Sequence, residues 1–326
     1  MLRVAILSFW HVHARDYAAE AERHPGAEVA CVWDADAERG REEAGRRGVP
    51  FYAELDRVLP RPDVDGVVVT TPTTAHGEVI PAAARAGKHV FAEKVIAPTL
   101  REAREISAAV ERSGVSFTVS LPRLYAGYTR AVKDALPEIG TVTYLRVRVS
   151  HDGALPAEGS PRGWLPERFY NEEESGGGVT VDFGAHPLYL IHHLLGLPES
   201  VNATYARFTD RAVEDGSVTT LSYANGALGV AEASFVGASE PFVIEAHGTE
   251  GSLLYTPETG LSVRRTGADS RRLDLPPDGP TPFERWVELA SKGEPDRENV
   301  HAALALSALA EAANTSAREG RPVSLL

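Results

Sequence analysis

Asp182 and His186 stand four residues apart, just behind the run Gly176-Gly177-Gly178 and at the head of an apolar segment. On a helix that spacing places both side chains on one face. A carboxylate beside an imidazole can hold and move a proton near neutral pH. Lys94 ends a second segment, Phe91-Ala92-Glu93-Lys94-Val95. A lysine at the carboxyl end of a central parallel strand lies where such sheets bind ligands, and Glu93 beside it can steady the charge. The commoner fate of Glu-Lys is a surface ion pair, and position along the strand is what favours a ligand here. His11-Val12-His13 offers a third chemistry. An H-x-H pair after a first strand is a metal arrangement of barrel hydrolases, whereas one pocket-lining and one capping histidine is the plainer reading.

These residues need elements to hold them. The first 120 or so residues alternate strand and helix: Leu2–Leu7, Ala14–Arg23, Glu28–Trp33, Ala35–Arg46, Gly66–Thr70, Ala75–Ala86, Lys88–Ala92, Leu100–Arg112 and Val115–Ser120. Unbroken apolar strands between helices predict a parallel sheet covered on both faces, a doubly wound α/β domain. From residue 121 the pattern changes. Val142–Ser150 alternates apolar and polar residues, as a strand with one solvated face does. Residues 151–178 read as a loop rich in Pro, Gly and charge. Val201–Phe208, Ser217–Tyr223, Ala227–Val236, Phe242–His247 and Ser252–Tyr255 then read as consecutive antiparallel strands, with Asn225-Gly226 a hairpin signal. Pro282–Ala290 and Glu298–Arg318 read as helices. The expectation is therefore a doubly wound domain over 1–120 and an α+β domain with a large open, mainly antiparallel sheet over 121–326. The antiparallel half argues against a barrel, so no metal is assigned. A metal-dependent hydrolase using His11 and His13 remains a distant alternative.

The chain has 326 residues, 43% of them hydrophobic and 24% charged, which suits a two-domain globular protein. A net charge of -13 argues against nucleic acid or an anionic membrane as partner. A single cysteine, Cys31, excludes an internal disulfide and fits a reducing compartment. With no signal-like start and no long apolar run, a cytoplasmic location is expected. An open sheet face needs cover, which predicts a homodimer or homotetramer through that sheet.

A doubly wound first domain invites a dinucleotide, whose fingerprint is a glycine-rich turn after the first strand. Here the turn reads Ser8-Phe9-Trp10-His11-Val12-His13, with no glycine. A second mark is present: Asp34 ends the second strand, where an acid suits the ribose hydroxyls of NAD and repels the 2′-phosphate of NADP. A helix N-cap is the structural alternative for Asp34.

Thr71-Pro72-Thr73-Thr74-Ala75-His76, Lys88-His89-Val90-Phe91-Ala92-Glu93-Lys94, and Gly176-Gly177-Gly178 with Asp182 and His186 occur in an order and spacing that resemble the glucose–fructose oxidoreductase/inositol dehydrogenase (Gfo/Idh/MocA) family. The resemblance implies a Rossmann domain, a C-terminal domain with a large open sheet, NAD(P) as cofactor, and a sugar, cyclitol or related polyol as substrate. It implies that Lys94, from the family's E-K-P motif, contacts substrate and nicotinamide ribose. It makes His186 the proton acceptor and Asp182 its orienting acid. Ser8, Phe9, Trp10, His11, Val12, Asp34, Thr70, Thr71, Pro72, Thr73, His76, Glu93 and Arg123 fall on cofactor-facing segments by position. Trp164, Arg162, Arg168 and Tyr170, in the loop before the glycine run, are candidates for the sugar pocket, with loop packing as the alternative.

Three residues depart from the family pattern. The first turn lacks glycine. Val95 stands where proline is usual. Pro187 follows His186 inside an expected helix, where an interior proline costs about 3 kcal/mol, so a break or kink is expected there. The reading is an NAD-dependent oxidoreductase moving hydride between nicotinamide and a secondary alcohol or ketone. Alternatives on the same fold are an NAD-dependent glycosidase or epimerase, and a non-catalytic nucleotide or sugar sensor.

Overall fold

The computed structural model describes residues 1–239 and 241–325. They form two compact units, Met1–Ser120 with Pro280–Leu304, and Leu121–Gly279 with Ala305–Leu326.

The first unit is built as its sequence pattern requires. Its elements are β1 (Leu2–Leu7), α1 (Ala14–Arg23), β2 (Ala27–Trp33), α2 (Ala37–Arg47), β3 (Phe51–Tyr52), β4 (Gly66–Val69), α3 (His76–Arg85), β5 (His89–Ala92), α4 (Leu100–Ser113) and β6 (Phe117–Val119). Among the described residues the six strands pair in parallel in the order β3-β2-β1-β4-β5-β6. Val4, Ile6, Leu7, Val67, Val68, Val69, Val90 and Phe91 are fully buried, because helices cover both faces of a parallel sheet. The order reverses between β1 and β4, and ligands of such sheets bind at the strand ends beside that switch. Helix α2 starts at Ala37, two residues later than expected. Its N-cap is Asp36, whose side chain accepts from the N–H groups of Glu38 and Arg39, so Asp34 is left for other work.

The expected second domain, 121–326, gives up Pro280–Leu304 to this unit. The reason is aromatic. Phe283 and Trp286, on the helix Pro282–Lys292, are fully buried and lie 5.5 and 5.8 Å from the ring of Phe91. Gly66 on β4 is required by this packing, since a Cβ there would sit 2.9 Å from the Trp286 ring.

The second unit contains α5 (Gly127–Ala135), β7 (Val142–Ser150), α6 (Glu172–Ser175), α7 (Ala185–Leu195), β8 (Ser200–Ala206), β9 (Gly216–Ser222), β10 (Leu228–Ser234), β11 (Val243–Gly248), β12 (Gly251–Thr256), β13 (Gly260–Arg265), β14 (Arg271–Leu273) and β15 (Val323–Ser324). Among the described residues nine strands form one sheet, ordered β14-β13-β12-β11-β7-β10-β9-β8-β15. It is mainly antiparallel, with one correction to the expected series. Strand β7 inserts between β10 and β11 and pairs with β10 in parallel. A parallel pair needs a long crossover; residues 151–199 supply it, and their helix α7 packs on β7 and β10. The predicted hairpin joins β9 to β10 through Gly226, whose φ of 82° is a left-handed conformation glycine adopts freely.

One face of the sheet is apolar, with Leu145, Val147, Ala231, Ala233, Ile244 and Ala246 buried. The other carries Arg146, which reaches Glu232 at 2.8 Å and Glu245 at 3.4 Å on the strands either side. Pro187 does not break α7. The helix begins at Ala185, so Pro187 lies in its first turn, where no intrahelical donor is needed. The expected kink rested on a helix reaching back to Asp182, and that segment is a series of turns.

Candidate active site

In the first unit the candidate residues gather at the carboxyl ends of β1, β4 and β5. Ser8 leaves β1 with φ 81°, the backbone shape that the fingerprint's first glycine adopts cheaply and a serine adopts at a cost. What replaces the glycine cradle is a turn satisfied from within. The N–H of Phe9 donates to Asp34 Oδ2 at 2.7 Å, that of Trp10 to Ser8 Oγ at 3.1 Å, that of His11 to the Thr70 carbonyl at 3.1 Å, and that of His13 to His11 Nδ1 at 3.2 Å. Phe9 and Trp10 are buried; the Phe9 ring lies under the guanidinium of Arg47 at 4.8 Å.

Asp34 is fully buried. Besides the Phe9 N–H, its carboxylate accepts from the Asp36 N–H at 2.9 Å and from Arg39 through both Nε, at 2.8 Å, and Nη2, at 2.6 Å. It therefore anchors the first turn to β2 rather than capping a helix. Arg39, which the sequence reading passed over, accompanies it at the end of β2.

Glu93 is the hub of this half. It is 1% exposed. One oxygen faces His13 Nδ1 at 2.7 Å, His11 Nδ1 at 3.5 Å and the Tyr17 hydroxyl; the other accepts the Lys94 N–H at 2.9 Å. Burial alone would raise this carboxyl, but the charges of His11, His13 and Lys94 pull it well below the usual carboxylate range. Burial and the same carboxylate push the Tyr17 phenol up. The Tyr17 hydroxyl gives its one proton to Glu93, so at 2.8 Å it accepts from Ser120 Oγ–H. Lys94 is buried, and its peptide bond to Val95 is cis.

Thr70 uses its hydroxyl on the Ser8 carbonyl at 2.6 Å. Thr71 and Thr73 are buried, and Pro72 caps the short turn Thr73–Ala75. The Thr71 hydroxyl is buried with no hydrogen-bond partner within the protein. An orphaned polar atom beside the sheet's switch point fits a site completed by a ligand.

His76 has a different task. Its Nδ1 lies 3.1 Å from the carbonyls of both Val95 and Ile96, so Nδ1 carries the proton and the ring braces the segment after Lys94. Burial pushes its pKa below the usual histidine range. Folded, the ring stays neutral while the unfolded chain takes up a proton. Its contribution is thus complete above the ordinary histidine pKa and lost as pH falls below it. Urea titrations from about pH 7 to pH 5 should show parent stability falling more steeply than that of His76→Asn, by up to about 1.4 kcal/mol per pH unit. Equal slopes would refute this role.

In the second unit the glycine run is explained by what lies under it. A Cβ on Gly178 would fall 2.3 Å from the Glu214 carbonyl oxygen. The backbone instead settles on Glu214, with Val179 N–H on its carbonyl at 3.0 Å and Thr180 N–H on Oε1 at 3.0 Å. Burial raises the Glu214 carboxyl. This clamp fixes the turns that carry Asp182 and deliver the chain into α7. Asp182 precedes the helix and His186 lies within it, so the two do not share a helical face as the spacing alone implied.

His186 is buried, with Nδ1 2.8 Å from the Tyr189 hydroxyl. That hydroxyl also accepts the Arg123 N–H at 3.1 Å. The Arg123 guanidinium lies over the Phe242 ring at 4.1 Å, and its Nη1 donates to Tyr128 at 3.2 Å. Arg123 therefore supports the histidine's partner through its backbone.

Phe183 links two imidazoles, packing 5.6 Å from His186 and 4.7 Å from His151. His151 stacks on Phe235 at 5.0 Å and meets Trp164 at 4.9 Å; Tyr170 lies edge-on to Phe235 at 5.9 Å. Two of the four pocket candidates thus join this aromatic group. Trp164 is half exposed, with its Nε1 on Asp152 at 2.8 Å. Tyr170 is buried under Arg211, 3.9 Å from its ring, and its hydroxyl has no partner. Burial pushes that hydroxyl up to about 12. Arg162 is exposed and paired with Glu167 at 2.7 Å and Asp210 at 3.4 Å, and Arg168 lies over Phe169 at 5.9 Å; neither touches the aromatic group through these contacts. Sequence reasoning missed Tyr17, His151, Tyr189 and Arg211. Only Tyr189 carried a local signal, its i,i+3 spacing from His186.

Comparison with known proteins identifies the family. Residues 3–121 match the oxidoreductase family with an NAD-binding Rossmann fold, and residues 130–254 match the GFO/IDH/MocA C-terminal domain. The chain is 33% identical to 1,5-anhydro-D-fructose reductase of Ensifer adhaerens over 245 residues, 74% of this chain and 72% of that protein. It is 28% identical to scyllo-inositol 2-dehydrogenase (NAD(+)) of Bacillus subtilis, covering 99% and 96% of the two chains. Levoglucosan dehydrogenase in complex with NADH and L-sorbose superposes with a TM-score of 0.83 at 22% identity, over 100% of this chain and 99% of that one. This chain belongs to the Gfo/Idh/MocA family of oxidoreductases. Among the described residues no helix is long and apolar enough to cross a membrane.

Proposed function

We propose that this chain oxidises or reduces a secondary alcohol or ketone of a sugar, cyclitol or related polyol, with NAD as cofactor. The observation that carries the reading is His186, buried on α7 with its Nδ1 held by Tyr189. A phenolic oxygen has two lone pairs. With the Arg123 N–H on one, the other is placed to receive His186 Nδ1–H, the tautomer in which Nε2 carries the lone pair that takes the substrate's hydroxyl proton. Asp182 stabilises the resulting imidazolium. The Lys94 ammonium stabilises the negative charge that develops on the substrate oxygen. Bound nicotinamide supplies the hydride acceptor. Thr71, with its partnerless buried hydroxyl, and the segment Thr70–Thr73 hold the dinucleotide at the end of β4; the glycine-free first turn is committed to Asp34 and its own atoms. The negative charge of Asp34 disfavours a 2′-phosphate, and Arg39 offsets part of that effect. Trp164, half exposed, offers the sugar an aromatic face, and the buried Tyr170 supports Phe235 in the same aromatic group.

Self-association through the solvent face of the nine-stranded sheet, as dimer or tetramer, completes the proposal. Val218, Leu228 and Leu254 are exposed on its strands. The test is absorbance at the NADH band with a panel of pyranoses, anhydrosugars and cyclitols. Net NADH formation or consumption on one class supports a dehydrogenase. Conversion without net NADH change would indicate the glycosidase or epimerase alternative, and no conversion with any member would count against the reading.

A further inference from the structure

The fold brings His11 and His13 to one point with Glu93, which lies 80 residues further along the chain than His13. One ligand atom from each lies within 4.8 Å of the others. We propose that these three side chains form a site for one divalent transition ion of the zinc class. Two imidazoles and one carboxylate are a borderline donor set that such ions favour, with a fourth position open to water.

The spacing is close to what coordination requires. Ligand atoms at about 2.1 Å from a tetrahedral ion stand about 3.4 Å apart. His11 Nδ1 and Glu93 Oε1 already do, at 3.5 Å. His13 Nδ1, at 2.7 Å from the same oxygen, has to open by about 0.7 Å, roughly one small rotation of an imidazole. Coordination through His11 Nδ1 exchanges its 3.2 Å bond from the His13 N–H for a metal bond. Glu93 is held by groups beyond the trio: the Tyr17 hydroxyl and the Lys94 N–H both donate to it. Such outer contacts orient a ligating carboxylate. Access comes from His13, whose side chain is 42% exposed while the other two ligands are buried.

This proposal rests on the trio alone and does not need the hydride-transfer reading. The test loads metal-stripped full-length protein with Zn2+ and, separately, with Co2+. Calorimetry should give one Zn2+ per chain, and Co2+ should develop the intense visible absorption of a four-coordinate ion. His13→Ala and His11→Ala should each weaken Zn2+ binding by more than about tenfold. His247→Ala, at an exposed histidine elsewhere, should leave it unchanged. Because His13 is well exposed, its variant tests the site without disturbing the core. Absence of stoichiometric binding in the parent, or binding unaltered in His13→Ala, would overturn the proposal.

Discussion

His186→Ala should fold as the parent does and lose about 10²- to 10⁴-fold in kcat, the range a positioned general base contributes. The substitution removes a proton acceptor whose orientation is fixed by two neighbours, the Tyr189 hydroxyl at 2.8 Å and, through it, the Arg123 N–H. Helix α7 does not depend on the imidazole, since Leu188, Leu190 and Ile191 are buried on the same element. Dinucleotide affinity should therefore stay within about threefold while turnover collapses, a split that a structural role would not give. Tyr189→Phe keeps the ring and removes the oriented lone pair, so it should cost less, about tenfold, and shift the pH–rate profile. Steady-state kinetics with thermal melts as folding control measure both. Turnover of His186→Ala equal to the parent's would remove His186 from the chemistry.

The second large effect is at Lys94. Lys94→Met, which keeps the aliphatic stem and removes the charge, should lower kcat/KM by about 10²- to 10³-fold, the cost of losing one preorganised donor to a developing oxyanion. Lys94 is buried at the end of β5, and its N–H is tied to Glu93 Oε2 at 2.9 Å. The backbone anchor survives the substitution, so the loss reports the ammonium. The Glu93 carboxylate retains His11, His13 and Tyr17 around it, which limits the stability cost of removing its neighbour. Lys94→Arg should recover little, because a planar fork does not present charge as a compact ammonium does. A kcat/KM within threefold of the parent in Lys94→Met would contradict the assignment.

Local patterns made much of the fold readable. The alternation of apolar strands and helices to Ser120, the change of period at Val142–Ser150, and the Asn225-Gly226 hairpin all report short-range physics. Strand order does not. Nothing near β7 says that it lies between β10 and β11, because the partner is chosen by a crossover some 50 residues long. The helix Pro282–Lys292 was visible as a helix, but its membership of the first unit depends on Phe91, nearly 200 residues earlier.

The site divides in the same way. Lys94 and His186 stood out through motif and position. The acid–histidine spacing misled, because it assumed a helix through Asp182 when the glycine run over Glu214 imposes turns there. Asp34 was found at the end of β2, while its bond to Phe9 is tertiary. Glu93 gathers His11, His13 and Tyr17 from the opposite end of the first unit's sequence, a convergence that only the parallel pairing of β1, β4 and β5 produces.

A glycine-free turn beside the Thr70–Thr73 segment should still form part of a working dinucleotide site. Fluorescence titration of the full chain with NADH and NADPH, with NAD and NADP as competitors, tests it most directly. One NADH per chain should bind saturably and be displaced by NAD, with NADPH weaker. Failure of all four to bind would contradict it.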